Sequence, residues 1–342
     1  MKSLSLAAAA LAGAPFPGAR SFAAPGAGGA PTAQRTFDLR RRGRKIPVIL
    51  DTDIGGDIDD TWALSLMLRS PEFDVRLVVS ATGDTYYRAK ILARMLDAFG
   101  RGDIPIGVGK RQNACAYNQG PWVENYDLSA YRGPLHSDGV GAIVSTILSS
   151  EEPVTLIAIG AAPNIAAALR REPSIVDNAR FVGMHGSLRK GYNGSPTPQP
   201  EANVKNGPAD LRAVLAAPWD VSLTPLDTCG IVKLQGEKYR KVFECPHPGI
   251  RALMENYRIW ASRPNARPGL DPAKASTTLF DTVAIYMALS EELLVMEDLG
   301  VRVEDDGMTL IDPAAPMAHC ATEWKDLAAF EDLLVQRLTG AE

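Results

Sequence analysis

Five aspartates fall within ten residues: Asp51, Asp53, Asp57, Asp59 and Asp60, with Gly55 and Gly56 between them. Carboxylates crowded in this way repel one another, so either their pKa values rise or a cation neutralises them. A hard divalent ion with oxygen donors is the simplest answer, and Ca2+ or Mg2+ suits an all-carboxylate set. The plainer reading is a solvated acidic loop in which Asp59 or Asp60 only caps a helix. Against it stands the apolar run Pro47-Val48-Ile49-Leu50, a buried strand that discharges straight into the aspartates. The apolar pattern resumes at Trp62-Ala63-Leu64 and continues through Leu66-Met67-Leu68 as a helix. A strand-to-helix junction of this kind aims its polar residues at the crevice beyond the strand's carboxyl end.

The rest of the chain supplies elements that could frame such a crevice. Buried-type strands are predicted at residues 73–81, 104–108, 154–159, 180–184 and 220–226. Helices are predicted at 86–99, 140–148, 165–170, 209–217, 237–243, 250–262 and 282–289, and an amphipathic helix at 324–338. Residues 294–310 read as peripheral strands or a hairpin. Alternation of strand and helix predicts an α/β fold, an open Rossmann-like sheet, mainly parallel, with helices on both faces. Polar turns at strand ends then place Asp53, Asp84, Pro163, His185 and Glu201 along one edge. Two long polar stretches, 112–132 (with Trp122) and 187–206, are candidate site loops, because loops of that length inside a compact domain are usually functional.

With 342 residues and a net charge of −4, the chain shows no Lys/Arg stripe, which argues against a nucleic-acid partner. Lys2, the apolar residues 4–12 and the small residues around Ser21-Phe22-Ala23 read as a signal peptide over 1–23. Residues 24–44 read as a flexible linker and 45–342 as one catalytic domain, so export to a periplasmic or extracellular space is expected. That apolar stretch is too short to span a bilayer, and no membrane insertion is expected. Four scattered cysteines make no disulfide framework, although a Cys229–Cys245 bridge stays open for an exported chain.

From about Ile46 to Leu289 the chain resembles a nucleoside hydrolase of the inosine–uridine-preferring type. The resemblance is carried by Asp51-Thr52-Asp53 with Gly55 and the Asp59-Asp60 pair, by Ala162-Pro163-Asn164, by Glu201-Ala202-Asn203 and by Leu279-Phe280-Asp281. It implies a Ca2+-dependent enzyme that adds water across the N-glycosidic bond of a small-molecule ribonucleoside, assembled as a homodimer or homotetramer. It further implies Asp53 as calcium ligand and general base, Asp60 and Asp281 as further ligands, and the Pro163 carbonyl completing the shell. Asp59, Glu201, Asn203 and Asn193 would then bind the ribose, and His136 would lie near the base.

Departures from the family pattern carry their own expectations. Gly56-Asp57 looks inserted, so Asp57 could be a ligand or take the part of Asp59. Asp84 stands where many members have Asn and is expected to face the substrate. Phe280 stands where pyrimidine-tolerant members have a histidine, which implies stacking on a purine, with Trp122 or a neighbouring tyrosine as partner. Two alternatives remain at this point: an exported, non-catalytic riboside- or sugar-binding protein, and a hydrolase of an unusual riboside. A haloacid-dehalogenase-type phosphohydrolase is disfavoured, since Gly55 occupies the position where that class needs Thr or Val. A ribose site built on a metal should reject deoxyribosides, because a missing 2′-hydroxyl leaves polar groups unpaired. The turnover of deoxyinosine is therefore expected to fall far below that of inosine, and equal rates would refute the reading.

Overall fold

The computed structural model describes residues 31–112, 115–263 and 270–340. The predicted signal peptide lies outside the described residues. Ten strands form one sheet: β1 (Ile46–Thr52), β2 (Phe73–Ser80), β3 (Ile106–Val108), β4 (Leu135–His136), β5 (Val154–Ala158), β6 (Ala179–Gly183), β7 (Val221–Leu223), β8 (Leu294–Val303), β9 (Thr309–Ile311) and β10 (Met317–Trp324). Their order is β4-β3-β2-β1-β5-β6-β7-β10-β8-β9. Neighbours from β4 through β10 pair in parallel, and β8 and β9 close the far edge antiparallel. The expected mainly parallel sheet is therefore present.

Every residue of β1 is buried. Ile46, Val48 and Leu50 belong to one apolar core, with Trp62, Ile91, Leu253 and Ile285, whereas Ile49 belongs to a second, with Ile143, Ile165 and Leu211. Alternate residues of a strand face opposite sides, so a strand covered by helices on both faces must be apolar throughout. This is why the run that reads as continuous in the sequence becomes the central strand.

Chain order creates the crevice. From β1 the chain steps outward through β2, β3 and β4, then returns to the other side of β1 to lay down β5. The carboxyl ends of β1 and β5 thus flank the switch point at which open α/β sheets bind ligands. Asn164, in the helix Pro163–Arg171, clamps this edge. Its amide nitrogen donates to Asp51 Oδ2 at 2.8 Å and to the Ser80 carbonyl at 3.1 Å, and its Oδ1 accepts from the Lys110 N–H at 2.8 Å. One buried amide thereby joins the ends of β1 and β2 to the segment after β3.

Three expectations are corrected. Residues 32–41, expected within a flexible linker, form the helix Thr32–Arg41. It is anchored by the Ala33 N–H on Asp220 Oδ2 (2.8 Å), by Arg40 Nη1 on the Leu289 carbonyl (3.0 Å) and by Phe37 against the buried Arg180 guanidinium (4.6 Å). Strand β10 was not foreseen: its small buried residues Ala318, Cys320 and Ala321 carry little strand signal, and β7 and β8 on either side define it. The last helix accordingly begins at Leu327, not 324. All four cysteines are free thiols, so the possible Cys229–Cys245 bridge is not made.

Asn164→Ala strips a buried amide from three partners. It is expected to destabilise the chain by roughly 2–4 kcal/mol, the desolvation penalty of one or two orphaned groups, read as a lower urea midpoint with an unchanged m-value.

Candidate active site

Two helices bring the carboxyls together. Asp59 and Asp60 open the helix Asp59–Leu68, and Asp281 is the N-cap of the helix Thr282–Leu289. All three are buried, and one oxygen from each lies within 4.8 Å of the others. Thr52 donates its hydroxyl to Asp60 Oδ1 at 2.5 Å, and the Asp59 and Asp281 carboxyls face each other within the cluster. Burial first, and repulsion between neighbours second, push Asp59, Asp60 and Asp281 well above the usual carboxylate range. Asp53 is raised as well, by burial against the opposing pull of Arg88, whose Nη2 stands 4.0 Å from Asp53 Oδ2. Buried oxygens that repel in this way fit a hard divalent cation, whose charge removes the repulsion and whose ligand sphere takes carboxylate oxygen.

Asp53 packs against the end of β5. A Cβ on Gly160 would fall 2.8 Å from Asp53 Oδ1, so only glycine leaves room there. The acidic loop itself is held by side chains that donate to its carbonyls. Arg88 takes Ile54 (2.8 Å), Tyr87 takes Gly55 (3.1 Å), Asn118 and Trp260 take Gly56 (2.7 and 3.1 Å), and Gln119 takes Asp57 (2.8 Å). Gly55 has φ +106, and a side chain there would strike Tyr87 and Ile91. A loop with four consecutive carbonyls fixed in this way is preorganised before any ligand arrives.

The cluster opens into a cavity of about 740 Å3, whose wall includes Asp53, Asp57, Glu201, Asn203, Tyr192 and Phe280. Glu201 is the N-cap of the helix Ala202–Asn206 and accepts from the Asn203, Val204 and Gly186 N–H groups at 2.8, 3.1 and 3.2 Å. Burial raises its pKa, those three donors lower it, and the balance lies at about 7. Asn203 donates its amide to the Met184 and Ile159 carbonyls at 3.0 and 3.2 Å. A neighbouring cavity of about 480 Å3 meets the first at Asp57, Tyr192 and Phe280. Tyr192 and Phe280 pack edge to face with ring centroids 5.8 Å apart.

Of the residues singled out in the sequence, the cavity thus gathers Asp53, Asp59, Asp60, Asp281, Glu201, Asn203 and Phe280. Six others are placed elsewhere. Asp84 caps the helix Thr85–Ala98 through the Tyr87 N–H (3.2 Å) and binds Tyr117 (3.0 Å) and Arg111 (3.2 Å). Burial would raise its pKa, but these donors pull it below the usual range. Trp122 is buried beneath the Arg94 guanidinium, 4.4 Å from its ring, so it anchors its loop in the core. His136 is exposed on the edge strand β4, beyond β2 and β3 from the crevice. Asn193 sits in a left-handed turn at φ +56, accepts from Lys233 and lines only the neighbouring cavity. Pro163 is buried at the first position of its helix, and the wall from that side is Ile159. His185, also on the predicted edge, is buried and neutral: burial lowers its pKa to about 4, and Nε2 meets the Gly160 carbonyl at 3.0 Å.

Sequence reasoning missed Arg88, Tyr192 and Gln119. Arg88 falls on the inward face of a helix read only for its apolar spacing, and the other two lie in stretches without periodicity.

Residues 48–332 match the family described as inosine-uridine preferring nucleoside hydrolase. A non-specific ribonucleoside hydrolase of Klebsiella pneumoniae is 28% identical over 275 residues, covering 77% of this chain and 85% of that protein. Its counterpart from Salmonella typhi is 28% identical over 272 residues, with 76% and 84% covered. Among solved structures, a plant nucleoside hydrolase matches with a TM-score of 0.73 at 21% identity, covering 86% of this chain and 99% of that one. A purine-preferring ribonucleoside hydrolase from Gardnerella vaginalis matches with a TM-score of 0.69 at 18% identity, covering 86% and 98%.

The raised carboxyls fix a pH dependence. Asp51 and Glu201 rise to about 7 from ordinary values of 3.8 and 4.5, so the folded state holds protons that the unfolded chain has released. Their favourable contribution is complete below pH 4 and is lost as pH climbs through 7. In chelator, Tm is expected to fall between pH 5 and 8. Saturating Ca2+ is expected to restore stability at pH 8 by about 2–4 kcal/mol and far less at pH 5. A thermal scan that shows no cation effect at pH 8 would refute the metal centre.

Proposed function

The chain belongs to the inosine-uridine preferring nucleoside hydrolase family, and from that premise we propose that it hydrolyses ribonucleosides with calcium as its resident cation and purine nucleosides as its better substrates. The supporting observation is the triad Asp59, Asp60 and Asp281 at the switch point, opening into the cavity that Asp53, Glu201 and Asn203 also line. A cation bound by that triad would polarise a water and bind the vicinal hydroxyls of a ribose.

The side chains divide the remaining work. Asp53 takes a proton from the water as its oxygen attacks C1′. The C1′–N bond breaks, and its electron pair leaves with the base nitrogen. Positive charge grows on the sugar as in glycoside hydrolysis generally, and the ring of fixed carboxyls stabilises it. Glu201, held by three backbone N–H groups, is a rigid acceptor for a ribose hydroxyl. Asn203 has its amide nitrogen committed to two carbonyls, so its Oδ1 is the atom available to the sugar.

Leaving-group activation rests on Phe280. Among the described residues no histidine lines the cavity, whereas the Phe280 ring does, buttressed by Tyr192. A stacked aromatic ring suits the larger face of a purine. The curated relatives are called non-specific and one structural neighbour purine-preferring; the aromatic wall of this cavity supports the second preference here. Export, read from residues 1–23, and assembly as two or four copies complete the proposal.

Release of free ribose from inosine, guanosine, adenosine, uridine and cytidine with added Ca2+ tests it. Purine nucleosides are expected to be turned over fastest. Asp53→Asn is expected to lower kcat by about 10²–10⁴-fold, the range for loss of a general base. Phe280→Ala is expected to slow inosine by about three- to tenfold, the value of one stacking contact. Full activity in Asp53→Asn would remove it as the base, and uridine matching inosine would remove the purine preference.

A further inference from the structure

Arg88 is the one cation in the wall of the acidic cavity among the described residues. It is buried, and its three arms reach three different places. Nε donates to the Thr82 carbonyl at 2.7 Å, Nη1 donates to the Ile54 carbonyl at 2.8 Å, and Nη2 lies 4.0 Å from Asp53 Oδ2. Ile54 and Thr82 follow β1 and β2, so a single guanidinium ties two strand ends together. The group is a planar, rigid fork, and with two arms fixed the third has little freedom.

The partners are built for this contact. Thr82 has φ +64, a costly conformation for a β-branched residue, and its carbonyl is the one that receives Nε. Asp53 is confined on its other side by Gly160. The oxygens that converge within 4.8 Å come from Asp59, Asp60 and Asp281 and not from Asp53.

We propose that Arg88 is the positioning residue of Asp53: it holds Oδ2 off the three-aspartate cluster and adds a positive charge that tempers the cluster's hold on a cation. Asp53 is thereby kept oriented as an acceptor beside the three-aspartate cluster. The role of Asp53 as base is taken from the proposed function; the contest for its carboxylate is not.

The test combines calorimetric titration of chelator-treated protein with CaCl2, steady-state kinetics on inosine and thermal melting. Arg88→Gln is expected to bind Ca2+ at least about threefold more tightly while kcat falls by about 10²-fold and KM stays within about threefold. Arg88→Lys keeps the charge without the fork, so its Ca2+ affinity should stay within about twofold of the parent while kcat drops about tenfold. Unchanged or weaker Ca2+ binding in folded Arg88→Gln, or an unchanged kcat, would overturn the proposal. If Arg88→Gln does not fold, Arg88→Lys decides: the tenfold loss with parental affinity supports positioning, and parental kcat refutes it. If the parent protein releases ribose from no nucleoside, the hydrolase reading fails, and the Ca2+ affinity of Arg88→Gln alone decides the role of Arg88.

Discussion

Mutual repulsion among buried carboxyls is the constraint on which this structure turns. Asp59, Asp60 and Asp281 are buried and Asp53 is mostly so; Asp53 and Asp59 both push up the pKa of Asp60 and Asp281, and Asp57 pushes up that of Asp53 and Asp59. Left to itself such a group would open the loop and hydrate. It stays closed because the backbone between Ile54 and Asp57 is fastened, carbonyl by carbonyl, by donors from two other segments and from Trp260. A divalent cation bound there would relieve that repulsion.

The sheet makes such fastening possible. A parallel sheet with helices on both faces aligns the carboxyl ends of its strands on one edge, and reversal of the strand order at β1 and β5 leaves a gap there. Asn164 and Arg88 bridge strand ends on one side of that gap. The Glu201 helix and the Asp281 helix approach from the other elements. The two basic and amide clamps are individually modest, but each satisfies several buried polar groups at once, and the loss of one partner leaves the rest orphaned.

Local polar signals were read less well than the strand and the acidic loop. Asp84 looked like a site residue because it sits in a polar turn at a strand end, and His136 because the family resemblance implied a histidine near the base. Asp84 has the N-cap of its own helix within reach, and a cap satisfies backbone N–H groups that would otherwise go unpaired. His136 lies on the last strand of its edge, which no further strand covers. Trp122 sits in an irregular stretch, and its indole is drawn into the core by apolar area that loop composition does not reveal. Arg88 was invisible for the converse reason: on a helix, an arginine is normally solvated, and only the geometry of two strand ends gives it buried partners.

The sequence by itself determined the parallel α/β class, the central strand, the acidic junction and the distant Asp281, Glu201 and Asn203 through their motifs. The first three are matters of local pattern, since apolar periodicity and charge density are written along the chain and survive without knowledge of neighbours; Asp281, Glu201 and Asn203 were legible only through the family resemblance of their motifs. Only the tertiary structure decided which aspartates converge within one ion's reach, that Asp53 is shared with Arg88, that Tyr192 buttresses Phe280, and that residues 317–324 enter the sheet as β10. Each of those depends on distances between segments far apart in sequence, fixed by strand order and helix packing, for which no local pattern carries the information.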